Sequence, residues 1–132
     1  MTTELIRIPI LQIEDFLVAS IQVALHDRSA VHFRDDLLER IFETKAKGLI
    51  IDLTAVDIVD SFIGRLIGDV AEMAALMGTR VVVSGLQPAV AITLTELGLE
   101  LPGVITALNL EKGIAHLRRL VNQDEQVLEG AQ

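Results

Sequence analysis

Short apolar runs alternate along this chain with stretches in which apolar residues return every third or fourth position, and that change of period limits the fold more than any other feature. Leu49-Ile50-Ile51, Val81-Val82-Val83 and Val104-Ile105 are too brief for helices and read as buried strands. The intervals between them read as amphipathic helices. A helix between two strands makes the connection a crossover, which favours parallel pairing and places helices on the faces of the sheet. The sequence therefore predicts a small α/β domain.

The first part departs from this rhythm. Residues 5–11 and 16–23, separated by the polar Gln12-Ile13-Glu14-Asp15, predict an antiparallel hairpin. Asp27 or Ser29 can then cap a helix whose inner face carries Phe33, Leu37, Leu38 and Ile41, and Gly48 can close it. A strand from Gly48 to Leu53 follows. The next helix is expected from Ser61 to about Met77, ended by Gly78, and a strand over 80–84 comes after it. Pro88 suits the first turn of a helix ending near Leu97-Gly98. A strand over 104–108 leads to a last helix capped by Asn109, with Leu110, Ile114, Leu117 and Val121 inward. Residues 1–122 thus form one domain, large enough to bury ~70% of the surface of its unfolded chain. The acidic segment 123–132 is expected to fray.

Composition removes several function classes. Nineteen acidic against eleven basic residues give a net charge of −8, which repels phosphate backbones, and four Phe without Trp or Tyr offer no platform for stacked bases. Nucleic acid is not an expected partner. The absence of cysteine rules out disulfides and thiolate metal sites and favours a reducing compartment, so a cytoplasmic location is expected. Glu4, Arg7 and Pro9 interrupt the only apolar stretch near the start, which is neither a signal peptide nor a membrane span. The mean hydropathy of +0.49 comes from Leu, Ile, Val and Ala spread periodically among charges, as in a core.

Catalytic signatures are lacking too. A hydrolase elbow needs small residues on both sides of its serine, and Val59 and Ile63 occupy those places around Ser61. Asp52 and Asp57 follow a strand as in a phospho-accepting receiver, but no acidic pair follows the first strand to hold a cation. No glycine-rich phosphate loop occurs, and His26, Asp27 and His32 do not have the spacing of a metal site. The expectation is a protein without enzyme activity, metal or cofactor.

What remains is "VDSFIGRLIG", where Asp60 and Ser61 stand between a strand and a helix. Both residue types cap helices. Counting from Ser61 in threes and fours reaches Gly64, Arg65, Gly68, Asp69 and Glu72, a polar stripe headed by the serine. Phe62, Ile63, Leu66, Ile67, Val70, Met73 and Ala74 take the other arc. Each glycine costs a helix interior about 1 kcal/mol relative to alanine, so something is expected to approach that backbone closely, either a neighbouring element or a docked protein. A phosphate on Ser61 would sit at a helix N-terminus, which favours anions by ~0.3–1 kcal/mol. A partner fitted to the neutral serine would instead have to bury a charge.

The match of Asp60, Ser61 and Gly64 to Asp-Ser-x-x-Gly at a strand-to-helix junction resembles the phosphorylatable-serine motif of STAS domains, the family of anti-sigma-factor antagonists. The order of elements is similar across nearly the whole chain. Within the family, "DLTAVDIVDSFIGRLIG" looks most like the S-type subunits of the stressosome, because Phe62-Ile63 replaces the second Ser and Gly of sporulation-type antagonists. One departure is Ala24-Leu25-His26-Asp27, where many members have Gly-x-Leu-Asp.

The resemblance implies a scaffold without enzyme activity, in a homo-oligomer or a large assembly with R-type co-subunits that carry sensor domains. It would sequester a serine kinase of the RsbT type, release it when Ser61 is phosphorylated, and be reset by a serine phosphatase, regulating a general stress response. Asp60, Gly64, Arg65, Gly68, Asp69 and Glu72 would form the partner surface. The alternatives are a small antagonist binding an anti-sigma kinase directly and a STAS scaffold that does not switch.

Overall fold

A computed structural model describes residues 8–22, 27–98 and 103–130. Their elements, in order, are β1 (Ile10–Ile13), β2 (Phe16–Ser20), α1 (Asp27–Thr44), β3 (Gly48–Asp52), α2 (Ser61–Leu76), β4 (Arg80–Ser84), α3 (Pro88–Glu96), β5 (Ile105–Ala107) and α4 (Leu110–Gly130). The strands form one sheet in the order β1-β2-β3-β4-β5. β1 is antiparallel to β2, and every later pair is parallel. The predicted hairpin followed by alternating helices and parallel strands is what forms.

Strand alternation divides the apolar residues between two cores. Leu17, Leu49, Ile51, Val81 and Val83 face the larger one, with Leu37 of α1, Ile67 and Val70 of α2, and Val90 and Leu94 of α3. Phe16, Val18, Ile50 and Val82 face the other, closed by Leu117 and Val121 of α4. Each crossover advances one strand in the same direction, so α1, α2 and α3 share a face and leave the opposite one to α4. Every β3 residue is buried.

Several boundaries differ from the sequence expectation, each for a local reason. The hairpin turn is only Glu14-Asp15, with Glu14 at φ 56°, and Gln12 and Ile13 pair with Leu17 and Phe16. Residues 5–7, expected in that hairpin, lie outside the described residues, as does the 23–26 segment. Ser29 lies inside α1 and is buried, so it does not cap the helix.

Gly48 does not close α1 either. Lys45 turns left-handed at φ 53° and Ala46 N donates to Ile41 O at 3.4 Å, while Gly48 opens β3. A Cβ there would stand 2.8 Å from Leu117 Cδ1 and 2.9 Å from Phe16 Cδ1, so the glycine admits α4 to the sheet.

Helix α4 also continues past the expected fraying point to Gly130. Arg80 holds Asp124 through two hydrogen bonds of 3.0 and 2.7 Å, and Lys47 Nζ lies 2.6 Å from Glu125 Oε1. These pairs join the helix to the starts of β4 and β3.

Candidate functional site

The serine motif stands at the carboxyl end of the sheet, above a polar network that fixes the loop leading to it. Ser20, Asp52 and Ser84 are register neighbours at the ends of β2, β3 and β4. Asp52 is almost wholly buried, and a buried carboxylate needs donors. Ser84 Oγ donates to its Oδ1 at 2.9 Å and Thr54 Oγ1 donates to the same oxygen at 2.7 Å. Ser20 Oγ reaches Oδ2 at 3.5 Å. Leu53 N donates to Ser84 O at 2.8 Å, and Gln87 Nε2 to Thr54 O at 2.8 Å. Gly85, at φ +74°, lets the next loop pass so close that a Cβ would collide with Thr54 Oγ1. The first half of the 53–60 loop is therefore tied to β4 and its following turn, and Val59 is buried just before the motif.

The motif itself divides its labour. Asp60 is the N-cap of α2: with φ −98° and ψ 177° it stands in extended backbone, and its Oδ1 accepts from Ile63 N at 2.9 Å. Asp60 O accepts from Gly64 N at 3.1 Å, the first turn of the helix. Ser61 is the first residue of α2, exposed, and its hydroxyl makes no hydrogen bond among the described residues. The side-chain cap is made by Asp60 without it.

The predicted stripe is only partly accessible. Arg65, Asp69 and Glu72 are exposed on the side that Ser61 heads, and Arg65 joins no ion pair among the described residues. Gly64 is buried and Gly68 half-buried. Gly64 is thus covered within the chain itself, and the accessible part of the stripe beyond Ser61 is Arg65, Asp69 and Glu72.

Two apolar residues beside the serine were not singled out by the sequence. Ile58, in the loop before it, is 83% exposed, and Phe62, directly after it, is 37% exposed although it was expected on the inner arc. Leu108, at the same end of the sheet after β5, is exposed as well. Exposed Ile58 and Phe62 on either side of a free hydroxyl give the motif an apolar setting that suits a docked protein. Two successive apolar residues between Asp57 and Asp60, of which only Val59 is buried, were the available signal. Acidic Asp57 and Asp60 precede the serine in sequence, and basic Arg65 follows it at i+4 on α2. Among the described residues no cluster of three or more His, Asp or Glu side chains is placed to hold a metal, and no helix is long and apolar enough to cross a membrane.

The model of the STAS domain family matches residues 7–112. The chain belongs to the STAS family. Among solved STAS proteins it is similar to a serine-to-glutamate variant of RsbS from Moorella thermoacetica, with 44% identity, coverage of 88% of this chain and 98% of that one, and a TM-score of 0.80. A structure described as the molecular architecture of the stressosome, a signal integration and transduction hub, shares 46% identity over 85% of this chain and 97% of that chain, with a TM-score of 0.77. The Bacillus subtilis RsbT co-antagonist protein RsbRA is 29% identical over 101 residues, which are 76% of this chain and 37% of that protein. This STAS domain therefore spans little more than a third of that curated relative. The unphosphorylated anti-sigma factor antagonist SpoIIAA, at 19% identity and a TM-score of 0.64, shares the fold.

Proposed function

We propose that this STAS domain is a scaffold of a stressosome-type assembly that holds a serine kinase of the RsbT type and lets it go when Ser61 is phosphorylated. It works in the cytoplasm beside R-type co-antagonist subunits, has no catalytic activity of its own, and is reset by a serine phosphatase. The observation that carries this reading is that Asp60 alone caps α2 and leaves the Ser61 hydroxyl exposed and unbonded at the first helical position. A serine needed for the cap would be spent on structure. This one is available for modification at no structural expense.

Similarity to RsbS and to a stressosome structure at 44% and 46% identity supports the scaffold role, and the named co-antagonists of RsbT support the partner class. The chemistry of the junction supports the switch. The kinase transfers the γ-phosphoryl group of ATP to Ser61 Oγ, and the hydroxyl proton leaves with the kinase base. The product places about −1.5 to −2 charges at the N-terminus of α2, where free amides and the dipole favour it by ~0.3–1 kcal/mol. Arg65, one turn along at i+4, is free to meet the phosphate, and Asp57 and Asp60 oppose it. The domain keeps its fold.

A kinase packed over Ile58 and Phe62 fares differently. An unpaired charge buried in that apolar surface costs on the order of 3–5 kcal/mol, and each ~1.4 kcal/mol is tenfold in affinity. Release follows from the asymmetry between the tolerant helix and the intolerant interface.

The test is intact-protein and peptide mass spectrometry after incubation with the host's candidate serine kinases, ATP and magnesium, with Ser61→Ala alongside. A single phosphate on Ser61, absent from the variant, is the expected result. No modification with an active kinase and its R-type co-subunit present would leave a scaffold that does not switch.

A further inference from the structure

Helix α4 covers the sheet from the side opposite α1, α2 and α3, and it leaves a groove along the open edge of β5. Lys112, His116, Arg119 and Gln123 stand at i, i+4, i+7 and i+11, a single line on the helix. They line two adjoining depressions of about 290 and 130 Å³ that share His116 and Arg119. Half-buried Ile105, Ala107 and Leu120 supply the apolar part of the lining. Because Ala107 lines the first depression with Lys112 and Ile105 the second with Gln123, the groove follows the strand. From Lys112 to Gln123 it runs ~16 Å, the span of about five extended residues.

The charge of this groove opposes that of the molecule. On a chain of net charge −8, no carboxylate lines either depression, and Glu111, the one acid of α4 before Asp124, lies outside the lining. Lys112 and Arg119 join no ion pair among the described residues, whereas Arg118, next along the helix, holds Glu14. Arg119 Nη2 donates to His116 Nδ1 at 2.7 Å, so His116 carries its hydrogen on Nε2 and keeps a donor to offer. The strand beside these cations is also open. β5 pairs with β4 alone among the described residues. Gly85 N donates to Ala107 O at 3.1 Å, so Ala107 turns its peptide groups toward β4 and, by alternation, Thr106 turns its N–H and C=O outward. Thr106 is exposed and lines the groove. An unpaired edge of this kind pairs readily with an extended chain.

We propose that an extended, acidic segment of a partner protein lies in this groove, adding a strand outside β5 through Thr106 and setting acidic side chains against Lys112, His116 and Arg119. Side chains of a strand alternate between its faces, so every second residue meets α4 and the segment needs acids at those positions. Charge complementarity selects the occupant, because the groove's cations have no acid of their own to answer. The chain's own acidic end, from Asp124 to Glu129, is helical and supplies no extended strand. The groove lies on the α4 side of the sheet and Ser61 heads α2 on the other, so this contact goes beyond the phosphorylation switch and does not depend on it.

The test is an NMR titration of the isotope-labelled full chain with an end-blocked peptide, Thr-Glu-Val-Glu-Val-Glu-Thr, beside its lysine analogue and a peptide of the same composition whose Glu residues are adjacent. For the alternating peptide alone, shifts are expected at 105–108 and along the line from Lys112 to Arg119, with slowed exchange of the Thr106 amide. Lys112→Glu and Arg119→Glu are each expected to weaken binding by roughly tenfold or more. Thr106→Pro removes the outward N–H at an edge position that tolerates proline, and it is expected to weaken binding although both cations remain. Circular dichroism melts confirm that each variant folds. No shifts at the highest peptide concentration reached would overturn the proposal. So would equal binding of the adjacent-Glu peptide, the mark of a charged patch without strand pairing, or the same shifts with inorganic phosphate, the mark of a simple anion site. Ser61→Ala is expected to bind the peptide like the parent, so failure of the switch and failure of this contact are read separately.

Discussion

Removing the Asp60 carboxylate takes away the acceptor that holds Ile63 N at 2.9 Å, so Asp60→Ala is expected to lower stability by ~0.5–2 kcal/mol. Ser61→Ala removes an exposed hydroxyl without a bond and is expected to stay within about 0.5 kcal/mol of the parent. Urea titration of both variants checks the difference. Equal losses at the two positions would mean that the serine shares the cap and is not free. At this scale the sequence discloses the pair but not its division of labour. Asp and Ser are equally able to cap, and the choice is made by the extended backbone of Asp60, fixed in turn by buried Val59 and the loop tied to Ser84 and Gln87. The same limit hid Ile58 and Phe62. Hydrophobic periodicity assigns apolar residues to the core, and only the position of the loop relative to the sheet leaves these two outside.

Helix α4 is held at its far end by charges from distant parts of the chain, which explains why its length was not legible. Residues 122–130 show little apolar periodicity, and their partners Arg80 and Lys47 lie 44 and 78 residues away in sequence. The pairs also make that end sensitive to acid. Hydrogen bonding from Arg80 holds the Asp124 carboxyl below its ordinary value, with burial opposing it and the charge of Arg80 adding a lesser pull in the same direction as the bond. A carboxyl depressed on folding stabilises the folded state fully above its unfolded value and loses that contribution as pH falls through the folded one. Both side chains are nearly half exposed, so solvent screening keeps the contribution below ~1 kcal/mol, enough to loosen the end of a helix but not the domain. Hydrogen-exchange protection of the last turns of α4 is therefore expected to fall as pH drops below about 4, before the core strands lose theirs. Asp124→Asn should show the weaker protection already at neutral pH. Protection that is the same in both proteins would mean that packing alone holds the helix. Gly48 is the companion case: a glycine just past a helical pattern reads as a terminator, and only the distance to Leu117 and Phe16 shows it to be a packing residue of β3.

For the whole molecule the sequence was most informative, because each strand lies beside the next in chain order and each parallel step carries its own helix. Alternation within Leu49-Ile50-Ile51 and Val81-Val82-Val83 then assigns side chains to two faces, one covered by three crossover helices and the other by α4. This architecture puts the serine at the carboxyl end of the sheet, at the start of the second crossover helix. The central claim is that one phosphate separates the fate of the interface from that of the fold. The most direct measurement is the affinity of the kinase for the unmodified and the Ser61-phosphorylated chain, side by side with their thermal melts. The account predicts that affinity falls about a hundredfold or more, in line with a buried unpaired charge, while the melting transition is retained. Equal affinities, or a phosphorylated chain that no longer folds, would contradict it.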